Sequence, residues 1–125
     1  MAYAGIQTLL LTYKMQKADK EFELGQVTNK YTRITRESKE VNNEIEAAKA
    51  ALDTSDEDYV SQARAIDEQY SDALAEFANM EDELQQKQSN LNTEIKQLDG
   101  YIESWQGALS TNIQKTHSYG PSASG

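Results

Sequence analysis

The chain has 125 residues and a mass of 14.0 kDa, which leaves room for one domain. Its hydrophobic fraction of 38% is below the roughly 45–50% of globular domains, so a core one stripe wide fits better than a rounded core. The net charge is -9, from 21 acidic and 12 basic residues. This charge disfavours nucleic acid and anionic lipid as partners, because both are bound by clustered Lys and Arg.

The chain contains no cysteine, which excludes a disulfide framework and a thiolate metal site. Its apolar start, Met1 to Tyr13, has no basic region in front of it and is too short to cross a membrane. We therefore expect no membrane span. The expected location is the cytoplasm, or outside the cell after export without a cleaved Sec signal.

The first half of the chain carries one long heptad pattern. Apolar residues recur at alternating steps of four and three, interrupted at Lys17, Lys20 and Ser38. This first seam consists of Ile6, Leu10, Tyr13, Leu24, Val27, Tyr31, Ile34, Val41, Ile45, Ala48 and Leu52. A pattern sustained over more than six heptads predicts a long amphipathic helix, at about 4–52.

The second half carries its own seam, with one residue every seven positions. This row consists of Ala63, Tyr70, Phe77, Leu84, Leu91, Leu98 and Trp105. Its companion row is Tyr59, Ile66, Ala73 and Met80, followed one place later in the heptad by Ile95, Ile102 and Leu109. The pattern predicts a second helix at about 56–115. Polar Lys87 and Gln88 separate the two sets, so we expect the seam to repack near them.

An acidic segment, Asp53 to Asp58, lies between the two patterns. Thr54 and Glu57 have the spacing of a capping box, and acidic residues suit the first turn of a new helix. We therefore predict a short acidic turn near 53–56. The expected fold is all-α, a long antiparallel helical hairpin or coiled coil formed by residues 1–115. One continuous helix is the alternative, because neither Gly nor Pro enforces a stop at this point.

The last ten residues, 116–125, are mostly small and polar. Such a segment has too little apolar surface to order itself. We expect it to be a flexible tail.

The many carboxylates of the chain do not form a recognisable catalytic or metal site. General acid–base chemistry needs two carboxylates in a cleft, and the pattern predicts no cleft. Glu40 and Glu44 share a helix face, but a di-metal bundle also needs Glu-x-x-His, and His117 has no Glu three residues before it. We expect no enzyme activity, no cofactor, no metal and no small-molecule substrate.

A second apolar row lies near the start of the first helix, outside the seam. Leu11, Met15, Ala18 and Phe22 again follow steps of four and three, and Leu9 is expected to widen the row. A hairpin offers one partner helix for one seam, so this row is expected to stay exposed and to form an interface. The alternative is that the second helix bends to cover it with Ile95, Ile102 and Leu109.

Trp105, at the end of the second seam, completes the candidate interface. It is expected to be a packing anchor, although Trp is also enriched in interface hot spots.

Charge is segregated along the chain. Residues 1–39 have a net charge of +3, residues 40–85 of -12, and residues 86–125 of zero. In a hairpin the acidic block surrounds the turn and the apolar row lies at the opposite end. The expected function is structural: a subunit that assembles with copies of itself. The alternative is a cytoplasmic adaptor or chaperone-like protein that binds a helix of another protein.

In general layout the chain is similar to the needle and filament subunits of export machines, which are also short helical hairpins without cysteine. This likeness implies a filament or secretion-type apparatus as the setting. It assigns no role to any single residue, since no motif matches and the turn lacks proline.

Overall fold

A computed structural model describes the chain from Tyr3 to Ser124, and the side chains of residues 4–111 and of Ile113. Helix α1 spans Tyr3–Ala50 and helix α2 spans Tyr59–Ser124. The two helices pack against each other as an all-α helical hairpin, and the described residues contain no strand. The hairpin prediction is therefore confirmed over the single continuous helix.

The chain divides into two compact units, each made of a piece of both helices. The terminal unit comprises the chain up to Gly25 together with the chain from Ser89 onward, and the turn unit comprises Gln26–Gln88. The division on α2 falls after Gln88, where the sequence predicts a change in the seam. Gln88 is partly buried at the seam position, whereas Lys87 is exposed.

The predicted seam positions are the ones that the helices turn toward each other. Every residue of the four-and-three series in α1 is buried or partly buried, including the interrupting residues Lys17, Lys20 and Ser38, and the same holds for both rows of α2. The most buried members in the turn unit are Ile34, at 6% exposure, and Leu84, at 5%. The core is thus one stripe wide, and no described polar side chain is buried.

Polar cross-helix contacts report the register of the helices in the turn unit. The Gln88 side-chain amide donates to the Thr28 hydroxyl at 3.1 Å, and the Gln85 amide donates to the Tyr31 hydroxyl at 2.9 Å. Residue numbers rise along α1 as those of the partners fall along α2, which is the signature of antiparallel pairing. The two glutamines supply hydrogen bonds at the place where the apolar companion row is interrupted.

The connection between the helices, residues 51–58, differs in detail from the predicted turn. The predicted capping box is wrong: α2 begins at Tyr59, so Thr54 is not its cap. Instead, the carboxylate of Asp53 accepts hydrogen bonds from the backbone N–H and the hydroxyl of Ser55, and that of Asp56 accepts one from the N–H of Asp58. These side-chain bonds make tight turns without a glycine or a positive φ angle.

The helix ends also differ from the predicted bounds. Helix α1 stops at Ala50 rather than near 52, and the acidic residues expected in the first turn of α2 lie in the connection before it. Helix α2 continues to Ser124, past the predicted end near 115. The flexibility expected for 116–125 stays a prediction, since the side chains there lie outside the described residues.

Candidate functional site

The second apolar row of α1 lies on the outer face of the helix. At about 100° per residue it is centred roughly 140° around α1 from the seam. Leu11 and Met15 are each 60% exposed and Phe22 is 69% exposed, and Ala18 is exposed as well. We call Leu11, Met15, Ala18, Phe22 and Gly25 the outer stripe, since Gly25 continues its spacing and is also exposed.

Helix α2 does not cover the outer stripe. Ile102 is buried with Ile6 and Leu10 in the core of the terminal unit, and Leu109 packs against that core. Ile95 is partly buried at the seam. The alternative in which α2 bends to cover the stripe with these three residues is therefore wrong, because they already pack at the seam with α1.

Two residues of the candidate interface lie elsewhere. Leu9 is partly buried and sits on the far side of the seam from the outer stripe, so it does not widen the stripe. Trp105 is partly buried and packs against the core formed by Ile6, Leu10 and Ile102. It is a packing anchor of the terminal unit, which agrees with the first of its two expected roles.

Aromatic packing closes one side of the same unit. The rings of Tyr13 and Tyr101 lie 5.4 Å apart between centroids and are inclined by 35°. Aromatic pairs at this separation are favourable when they avoid placing the two negative ring faces directly opposite each other. Tyr101 is 51% exposed, so this aromatic pair forms the border between the core and solvent.

Ion pairs across the helices hold α1 in place at the interruptions of its seam. Lys17 Nζ lies 2.6 Å from a carboxylate oxygen of Asp99, and Lys20 Nζ lies 3.1 Å from one of Glu94. The hydrogen bond to Asp99 is the main cause that raises the pKa of Lys17, and the hydrogen bond to Glu94 is the main cause that raises the pKa of Lys20. The sequence pattern counted both lysines as breaks in the seam and missed this pairing.

These ion pairs mark which face of α1 is turned toward α2. They lie on the seam side of α1, so rotation of α1 about its axis would break them while bringing the stripe toward α2. Each pair is about one-third to one-half exposed and contributes little to stability by itself. Together with the buried leucine and isoleucine residues of the seam, they define which face of α1 is left to solvent.

Charged residues border the outer stripe. Lys14 and Glu21 lie along one edge and Asp19 along the other, and all three are exposed. Glu21 also approaches Lys17 at 3.7 Å within the same helix. An apolar centre with a charged border is the usual composition of a protein interface.

The described residues offer no site of another kind. A shallow groove between the helices in the terminal unit is lined mainly by charged and amide side chains, and the ion pair of Lys20 and Glu94 lies in it. Within the described residues, no three His, Cys, Asp or Glu side chains are grouped to hold a metal ion. No helix there has an apolar stretch long enough to cross a membrane.

Comparisons of the chain with protein-family models, with curated proteins and with solved structures found no match.

Proposed function

We propose that this protein is a structural subunit that assembles with copies of itself through the outer stripe of α1. The observation that carries the proposal is the exposure of Leu11, Met15 and Phe22 in one helical row, at 60%, 60% and 69%. Single exposed apolar residues are common on protein surfaces, but a periodic row of large ones marks an interface. The same α1 buries a separate seam against α2, so the stripe is not needed to form the hairpin.

The arrangement of charge supports assembly at the apolar end. The acidic block of residues 40–85 carries fourteen acids and two bases, whereas residues 1–39, which include the outer stripe, have a net charge of +3. Copies that associate through the stripe bring together parts of the α1 segment with a positive net charge, rather than parts of the acidic block. In a filament or secretion-type apparatus, the terminal units of several copies would pack together.

The strength of a contact through the stripe follows from the exposed fractions. Complete burial of a large apolar side chain contributes about 1.5–3 kcal/mol, so covering the exposed 60–69% contributes about 1–2 kcal/mol for each. Two stripes in contact bury six such side chains, or about 6–12 kcal/mol. Association itself costs about 4–15 kcal/mol. One contact therefore gives weak, concentration-dependent association, and a stable assembly needs several contacts per copy.

The double variant Met15→Glu with Phe22→Glu tests the proposal. It should remain as helical as the parent, because neither residue touches the seam, and it should lose association by orders of magnitude. Sedimentation measures association and circular dichroism measures helicity. If this variant associates like the parent, the outer stripe is not the interface and the proposal fails.

Two control variants make the result specific. Val60→Glu replaces a residue that is 65% exposed but lies in the turn unit, and it should leave association unchanged. Leu91→Glu places a charge at a seam position that is 5% exposed, and it should reduce helicity and association together. Should the parent itself stay monomeric at high concentration, self-assembly would be refuted and the adaptor alternative would remain to be tested.

A further inference from the structure

We propose that the outer stripe of α1 packs against the outer stripe of a second copy, with the two helices antiparallel about a two-fold axis at Ala18. This inference rests on the proposed self-assembly and adds the geometry of one contact. A two-fold contact occupies the stripe of both copies and closes as a pair, so a larger assembly needs a second surface. A two-fold contact requires a surface that is complementary to itself. The outer stripe meets that requirement in side-chain size and, along one edge, in charge.

The sizes match when the stripe is reversed about Ala18. With a rise of 1.5 Å per residue, Leu11 and Gly25 lie about 10.5 Å on either side of Ala18, and Met15 and Phe22 lie about 4.5 and 6 Å away. Reversal places Leu11 opposite Gly25 of the second copy and Met15 beside its Phe22. The two Ala18 residues meet at the axis, where their small side chains let the helices approach closely.

Gly25 supplies the space for this packing. A Cβ atom added to Gly25 would meet no atom within 4 Å, so nothing within the chain requires a glycine there. A glycine inside a helix is unfavourable relative to alanine. In the antiparallel contact the missing side chain leaves room for Leu11 of the second copy, which gives the residue a role that the hairpin does not.

Charge along one edge also fits the antiparallel arrangement. Reversal places Lys14 within about 1.5 Å of the height of Glu21 of the second copy, and the two-fold axis repeats the pair. On the other edge Asp19 approaches its own copy, which is unfavourable. Two attractive pairs therefore oppose one repulsive pair. All of these side chains are exposed, so salt weakens each of the interactions.

A parallel contact in register would also gain two attractive pairs, each between Lys14 and Asp19 of the second copy, but it is less favourable in packing and in the charges farther along the face. It would stack Phe22 on Phe22 and leave a gap at Gly25, whereas Ala18 would meet its own copy in either arrangement. The same helix face continues to Arg36 and Lys39, which would then face their own copies. In the antiparallel contact these two residues lie beyond the start of the second copy's α1 at Tyr3.

Disulfide cross-linking distinguishes the arrangements. The chain has no cysteine of its own, so each disulfide reports only the introduced positions. The inference predicts that a mixture of the Leu11→Cys and Gly25→Cys variants forms a disulfide-linked heterodimer under mild oxidation, while each variant alone forms little dimer. A parallel contact would instead link each variant to itself. If these homodimers were the main product, the antiparallel geometry would be wrong, but self-assembly would stand.

The Ser104→Cys variant controls for packing on α2, since Ser104 is exposed on α2 within the terminal unit. If Leu11→Cys links to Ser104→Cys rather than to Gly25→Cys, the stripe packs on α2 of the second copy and the inference is wrong. Sedimentation of the same variants tests self-assembly separately from the geometry of the contact. Monomers throughout would reject self-assembly itself.

Charge exchange is an independent test. Glu21→Lys should weaken self-association about tenfold at low salt, since Lys14 would then meet a lysine at both symmetric positions. An equimolar mixture with Lys14→Glu should restore association, because each mixed pair regains opposite charges. In a parallel contact Glu21 would face Gln26, so an unchanged affinity for Glu21→Lys would contradict the antiparallel arrangement.

Discussion

Replacing Gly25 by alanine should have opposite effects on folding and on association. Within the chain, a Cβ atom at Gly25 has open space, and so does one at Gly100 or Gly107. Alanine in place of a helical glycine stabilises a helix by about 0.5–1 kcal/mol. For a chain of this size that shift corresponds to an increase in melting temperature of about 2–5 °C.

The three alanine variants should therefore be equally stabilised when association is absent. Circular dichroism melts in the Met15→Glu/Phe22→Glu background measure this effect without a contribution from assembly. In the parent background, Gly25→Ala should weaken association about fivefold, since about 1 kcal/mol of overpacking against Leu11 of the second copy opposes binding. Gly100→Ala should leave the sedimentation behaviour unchanged.

The result that would refute this reasoning is a lower melting temperature for Gly25→Ala in the non-associating background. Such a loss would mean that Gly25 is required by packing within the hairpin. A second contrary result would be equal association of the Gly25→Ala and Gly100→Ala variants. The side chain at position 25 would then lie outside the contact.

Two further predictions concern salt and pH. Adding salt at pH 7 should raise the melting temperature, because fourteen acids and two bases share residues 40–85 and the acids repel one another. A melting temperature that salt leaves unchanged or lowers would contradict this prediction. Hydrogen bonds from Ser55 lower the pKa of Asp53 below its ordinary 3.8, so its contribution to stability is present above that value and is lost as the pH falls through the lowered pKa. At alkaline pH, the raised pKa values of Lys17 and Lys20 mean that their ion pairs stabilise the protein fully below about 10.5 and are lost as the pH rises past the raised values. The Lys17→Gln/Lys20→Gln variant should therefore melt below the parent at pH 9, and the difference should shrink as the pH rises past the raised pKa values. A constant difference would show that the lysines act through packing.

The periodicity of the sequence was enough to identify the helices and the faces that they bury. A helix presents the same face every 3.6 residues, so a row such as Ile6, Leu10 and Tyr13 can be buried together against one partner helix. The structure places every member of the first seam among the buried or partly buried residues. The change of seam near Gln88 also follows from the pattern, since a polar pair cannot continue an apolar row.

The details of the connection depended on hydrogen bonds that spacing does not reveal. Thr54 and Glu57 fit a capping box by position, yet Asp53 and Asp56 accept the hydrogen bonds that form the turns. Asp, Ser and Thr can all bond to nearby backbone N–H groups. Their competition over a few residues is decided by backbone conformation, so the sequence located the turn without its exact bonds.

For the candidate interface too, the sequence predicted one part and the tertiary structure decided the other. The spacing of Leu11, Met15 and Phe22 shows that they share one face of a helix, but their exposure depends on where α2 passes, which is a property of the tertiary structure. Leu9 illustrates the difference: its neighbour Leu11 is 60% exposed, whereas Leu9 is partly buried on the far side of the seam. Gly25 was missed because a glycine carries no hydrophobic signal, although it continues the same spacing.

The sequence by itself determined two long amphipathic helices, an acidic turn between them and a second apolar row, because each is a local pattern that helix geometry converts into a face. Only the tertiary structure decided the register between the helices. That register pairs Lys17 with Asp99 and Lys20 with Glu94, residues more than seventy positions apart along the chain. Such partners are selected by the packing of the whole seam, and this packing is what leaves the outer stripe exposed.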